Sequence, residues 1–148
     1  MTKILFICHG NICRSPMAEF VMRDMVRRAG LAREIAVASA ATSAEEIGNP
    51  VYPPARRKLL EHGIDPAGKR AVQLRPGDYG RWDLLVGMDG ANLRNMRRIC
   101  GGDPQGKIRP LLDRDVADPW YTGDFEAAWR DVNEGCRALL DLILEGNP

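Results

Sequence analysis

No stretch of this 148-residue chain approaches the ~20 apolar residues of a membrane span. The first apolar run, Ile4 to Ile7, is too short for a secretory leader and is expected to start a domain instead. Net charge is only +1, so composition gives no global signal for nucleic-acid binding. The clusters Arg27-Arg28, Arg56-Arg57-Lys58 and Arg97-Arg98 read as solvated helix faces that attract acidic phosphoproteins weakly. The four cysteines lack zinc-ligand spacing, and no Cys-x-x-Cys pair occurs. They are expected to be free thiols of a reducing compartment, the cytoplasm. Neither Gly-x4-Gly-Lys-[Ser/Thr] nor Gly-x-Gly-x-x-Gly is present, which removes the usual nucleotide loops. Repeats, linkers and low-complexity segments are missing too. What remains is one domain over residues 1–148, expected to be monomeric. No metal, cofactor, nucleic acid or membrane is expected among its partners.

Apolar residues make up 45% of the chain and charged residues 28%, a globular balance. Strand-like and helix-like segments alternate. Strands are expected near 3–8, 35–41, 83–88 and 107–112. Helices are expected near 15–29, 53–63, 89–99 and 123–145, with a short one near 75–80. The last helix carries the apolar stripe Phe125, Trp129, Val132, Cys136, Leu139, Leu140, Ile143. Such alternation predicts an α/β fold around a mostly parallel sheet.

The most informative segment is Cys8-His9-Gly10-Asn11-Ile12-Cys13-Arg14-Ser15-Pro16. It follows a buried strand. Gly10 and Asn11 break the pattern with residue types that tolerate positive φ. Ser15 fits a helix N-cap and Pro16 the first helical position. Met17, Phe20, Val21 and Met25 continue with helical spacing, and Gly30 fits the stop. A strand, tight loop and helix start aim unpaired N–H groups and a helix dipole at one point, which favours an anion. Helix N-termini and cations also favour the thiolate form of a cysteine, so Cys8 fits a nucleophile. Arg14 offers a planar fork for two phosphate oxygens. Ser15 can donate its hydroxyl to the Cys8 sulfur. Taken alone, Cys8 also fits a small buried hydrophobe at a strand end. That alternative leaves the offsets of Gly10, Asn11, Arg14, Ser15 and Pro16 unexplained.

Residues 8 to 16 resemble the signature Cys-x-Gly-Asn-x-Cys-Arg-Ser-Pro of the low-molecular-weight protein tyrosine phosphatases. The resemblance extends through Ser39-Ala40-Ala41-Thr42-Ser43, Glu46-Ile47-Gly48-Asn49-Pro50, His62-Gly63-Ile64, Met88-Asp89 with Asn92-Leu93, and Asp118-Pro119-Trp120-Tyr121. It implies a four-stranded parallel sheet in the flavodoxin-like order 2-1-3-4, with Cys8 at the switch point. It also implies phosphotyrosine hydrolysis through a cysteinyl-phosphate, with a phosphotyrosine-containing protein as substrate. Cys8 would be the nucleophile, Arg14 the phosphate ligand and Asp118 the general acid and base. His9, Gly10, Asn11, Ile12, Cys13 and Ser15 would line the phosphate loop. Trp120 and Tyr121 would wall the substrate. Asn11, Ser15, Ser39 and His62 would form a supporting hydrogen-bond network. Cys8 and Cys13 would form a reversible protective disulfide on oxidation.

Read from residues alone, Asp118 is a turn aspartate before proline, close to Asp113, Asp115 and Asp124. The adjacent Trp120-Tyr121 pair fits an aromatic wall beside it, and either ring also fits a core position. His62 fits a helix C-terminus before Gly63. Within the same family, protein arginine phosphatases carry Thr at the position of Ile12, and Ile12 has no hydroxyl to orient water. Glu45 departs from the Trp or Tyr of many members. Arsenate reductase, on the same scaffold, needs two further cysteines in mid-chain, and residues 66–99 contain none. A non-catalytic phosphopeptide-binding module would be expected to lack Cys8, Arg14 or Asp118.

Overall fold

A computed structural model describes residues 1–146. The strands are β1 (Thr2–Cys8), β2 (Ile35–Ala41), β3 (Leu84–Gly87) and β4 (Ile108–Pro110). The helices are α1 (Arg14–Arg28), α2 (Pro53–Glu61), α3 (Asp78–Arg81), α4 (Gly90–Cys100), α5 (Pro119–Thr122) and α6 (Phe125–Leu144). All strand pairs are parallel, in the order β2-β1-β3-β4. None of these helices is long and apolar enough to cross a membrane.

β1 is apolar on both faces because both faces are covered. Ile4, Phe6 and Cys8 pack with α1, α2 and α6 through Met17, Val21, Leu59, Val132 and Cys136. Leu5 and Ile7 point the other way, among Leu74, Tyr79, Leu85 and Met96. Gly87 lets α4 approach the sheet: a Cβ there would lie 2.9 Å from Met96 Sδ and 3.1 Å from Leu93 Cδ2. The chain leaves β1 for β2 on one side and later crosses to β3 on the other. A crevice therefore opens at the carboxyl ends of β1 and β3, beside Cys8.

The differences from the sequence expectations are local. α1 begins one residue earlier than expected, with Cys13 in the cap position and no side-chain cap. Ser15 is not the N-cap, because its hydroxyl faces the Cys8 sulfur instead. The short helix expected at 75–80 lies at Asp78–Arg81. β3 and β4 are trimmed at both ends, and α2 stops at Glu61. α5 was not expected; Gly123, at φ 72, separates it from α6, which Asp124 caps by accepting from Ala127 N.

Candidate active site

The loop from Cys8 to Arg14 closes around the sulfur of Cys8. Asn11 adopts φ 59, left-handed, a conformation a short polar side chain tolerates better than most. This turns the Asn11 N–H onto Cys8 Sγ at 3.3 Å and sends its side chain beneath the loop. There Nδ2 donates to Ser15 Oγ at 2.8 Å and to Ser39 Oγ at 2.9 Å. Its Oδ1 accepts from Val72 N at 3.1 Å. Ser15 Oγ thus receives one hydrogen from Asn11 and keeps its own for Cys8 Sγ, 3.0 Å away.

Behind Asn11, Ser39 Oγ donates to Glu19 Oε1 at 2.6 Å. Glu19 is buried, and two cations compensate its charge: Arg23 at 2.8 Å and Lys69 at 3.4 Å. Lys69 Nζ also donates to Ser39 O at 2.9 Å. A continuous polar chain therefore runs from Lys69 and Arg23 through Glu19, Ser39, Asn11 and Ser15 to the sulfur.

Arg14 is almost fully buried at the other side of the loop. Its Nη1 donates to Asp89 Oδ2 at 2.7 Å and to Val116 O at 2.9 Å. Its Nη2 donates to Asp118 Oδ2 at 3.3 Å. Burial works against the guanidinium charge, but Cys8, Asp89 and Asp118 outweigh it and hold the pKa above its ordinary value. Asp89 is itself fixed, because its Oδ1 caps α4 by accepting from Asn92 N at 2.8 Å. Asn92 answers through Oδ1 to the Asp89 N–H, completing a reciprocal capping box. Nε and the second Nη2 hydrogen of Arg14 find no protein acceptor among the described residues, which leaves a two-pronged donor for an oxyanion.

These groups open into a cavity of about 100 Å³. Its floor is Cys8, Cys13 and Arg14, and Asp118 stands at its side. Trp120 and Tyr121 stand at the mouth, 50% and 82% exposed, rather than in the core. Tyr52 backs Trp120, with ring centroids 4.8 Å apart. Asp118 Oδ1 accepts from Trp120 N at 3.1 Å, which ties the carboxylate to the aromatic wall. A thiol, a two-pronged cation and a carboxyl converge on a space of phosphate size.

Residues 3–146 match the model of the low molecular weight phosphotyrosine protein phosphatases. The chain belongs to this family. It is 37% identical over 150 residues to the low molecular weight protein-tyrosine-phosphatase YfkJ of Bacillus subtilis, covering 97% of this chain and 96% of that protein. It is 36% identical to the human low molecular weight phosphotyrosine protein phosphatase, covering 94% of each. The crystal structure of the Bacillus protein superposes with a TM-score of 0.96 over 100% of this chain and 98% of that one. The protein is thereby a phosphoric monoester hydrolase.

In this phosphatase the structure brings together Cys8, Asn11, Ser15 and Ser39, but not His62. His62 ends α2 and stacks on Trp129 of α6, ring centroids 4.0 Å apart. The network expected to include His62 continues from Ser39 to Glu19 instead. His9 lies exposed at the rim, its Nε2 3.0 Å from Glu45 Oε2. Cys13 is a buried free thiol; burial, then Cys8 and Asp118, push its pKa far up. Asp89, Glu19, Lys69 and Tyr52 received no role from sequence. Two signals were available: a lone carboxylate at Glu19 within an apolar helix face, and the three-residue spacing of Asp89 and Asn92 at a helix start.

Proposed function

We propose that this enzyme hydrolyses phosphotyrosine in proteins through a cysteinyl-phosphate intermediate. The observation that carries the reading is the Cys8 sulfur, held by Ser15 Oγ and Asn11 N beside the open fork of Arg14. The Cys8 thiolate attacks phosphorus, and the bond to the tyrosine oxygen breaks. Asp118 gives its proton to that leaving oxygen. Arg14 and the N–H groups of the loop hold the three equatorial oxygens as charge spreads over them. Water then attacks the phosphocysteine, Asp118 takes a proton from it, and the thiolate leaves. The Ser15 hydroxyl stabilises the departing sulfur. Acid–base catalysis of this kind contributes about 10²–10⁴-fold.

The aromatic wall favours an aryl leaving group. Ile12, buried in the loop, presents no hydroxyl near the attacking water, which argues against phosphoarginine. The free thiols fit a reducing cytoplasm. The test is phosphate release from phosphotyrosine, phosphoarginine and phosphoserine peptides in chelator, with Cys8→Ser as control. Release from phosphotyrosine that Cys8→Ser abolishes supports the reading. Wild-type turnover in Cys8→Ser removes the nucleophile, and preference for phosphoarginine removes the role given to Ile12.

A further inference from the structure

We infer that the rim of this site selects phosphotyrosine flanked by lysine or arginine and rejects acidic flanks. The inference rests on the phosphotyrosine reading above and names its substrate class.

The rim facing the aromatic wall is formed by Glu45 and Glu46. Both follow a segment tied to the phosphate loop. Thr42 N donates to Cys8 O at 2.9 Å and Ser43 N to His9 O at 3.1 Å, so the segment is laced to the phosphate loop. Ser43 Oγ adds a bond to His9 O at 2.9 Å. Glu45, 68% exposed at its side chain, is held by His9 Nε2 at 3.0 Å. Glu46 accepts from Asn49 Nδ2, and its Cγ lies over Gly10. The two carboxylates are therefore fixed above the pocket mouth.

No lysine lines this pocket among the described residues, and Arg14 is its one arginine. Arg14 sits at the floor, where a phosphate dianion would consume its charge. A flanking residue of the substrate would then meet two carboxylates with no lysine or arginine between them, His9 being already engaged by Glu45. Such complementarity shapes specificity and encounter rate more than raw affinity. An exposed ion pair shifts an equilibrium by about fivefold at most, and two carboxylates act together here, so the expected preference is about 3–10-fold in kcat/KM. Salt should erode it, because both carboxylates are near solvent.

The experiment uses two phosphotyrosine peptides of equal length, one with lysines and one with glutamates beside the phosphotyrosine. A small aryl phosphate is assayed alongside. The readout is the kcat/KM ratio between the two peptides within each protein, which cancels any loss common to both. The wild-type ratio should favour the lysine peptide by about 3–10-fold at low salt and fall in high salt. The ratio should approach one in the double variant E45Q/E46Q and invert in the double variant E45K/E46K. A wild-type ratio near one with active aryl phosphate hydrolysis overturns the rim proposal and leaves the phosphatase reading standing. A ratio unchanged by E45Q/E46Q also overturns it. No release from the aryl phosphate overturns the underlying phosphotyrosine reading instead.

Discussion

Asp89 joins two tasks in one carboxylate, and its substitution separates them. Oδ1 caps α4, and loss of such a cap costs about 1 kcal/mol. Oδ2 receives Arg14 Nη1 at 2.7 Å. Removing one partner of a buried ion pair costs about 3–5 kcal/mol. Arg14 keeps Val116 O at 2.9 Å and Asp118 at 3.3 Å, and Asp89 is 21% exposed, so the lower end applies. Asp89→Ala should therefore destabilise the fold by about 4 kcal/mol. Asp89→Asn keeps one acceptor for the cap but turns an NH2 donor toward the guanidinium, so it loses the ion pair alone, about 3 kcal/mol. The guanidinium also loses its anchor, and a displacement near 1 Å costs about 10²-fold in rate. Urea unfolding measures the first effect, and kcat/KM on an aryl phosphate the second. If both variants stay within about 0.5 kcal/mol of wild type, the range of a neutral surface change, with unaltered kcat/KM, Asp89 neither caps nor orients.

Three shorter tests address other residues. Asp118→Ala should slow alkyl and other poor leaving groups far more than activated aryl phosphates; equal slowing of both removes its role as general acid. Ser15→Ala should slow breakdown of the phosphocysteine by about 10–100-fold, the worth of a hydrogen bond to a charged group. Rapid mixing should then show a burst of leaving group, and its absence with normal turnover sinks the assignment. In Cys13→Ser, peroxide inactivation should become irreversible to added thiol, whereas wild type recovers through a Cys8–Cys13 disulfide. Equal recovery of both proteins excludes Cys13 as the protecting thiol.

The legible parts of the fold were those encoded by near neighbours. β1 shows as a continuous apolar run because helices cover both of its faces. The stripe from Phe125 to Ile143 repeats with the helical period, so α6 was located within two residues at each end. The phosphate loop was legible because its parts lie within nine consecutive positions. The residues that hold the loop in shape were not. Asp89 is 75 residues from Arg14, Val116 is 102 away, and Val72 is 61 from Asn11. No local pattern links such positions: the parallel pairing of β1 with β3 brings Asp89 to the loop, and the bridge of Gln73 to Ala41 brings Val72. His62 misled for the complementary reason. Its place at the end of α2 was readable, but the partner its ring would meet was not, and that partner is Trp129.

The chain of contacts from Lys69 to the Cys8 sulfur has a bearing on transplantation. A nine-residue peptide copying positions 8 to 16 would carry every letter of the motif and none of its tension. In such a peptide the left-handed Asn11 would have no Ser39 or Val72 to reward it and would relax. A working graft would have to bring the second strand's Ser39, the first helix's Glu19 and the segment at Lys69–Val72 with it. Arg14 adds Asp89 and Val116 to that list, so the smallest portable unit is nearly the whole domain, ordered once at folding and reused unchanged at every turnover.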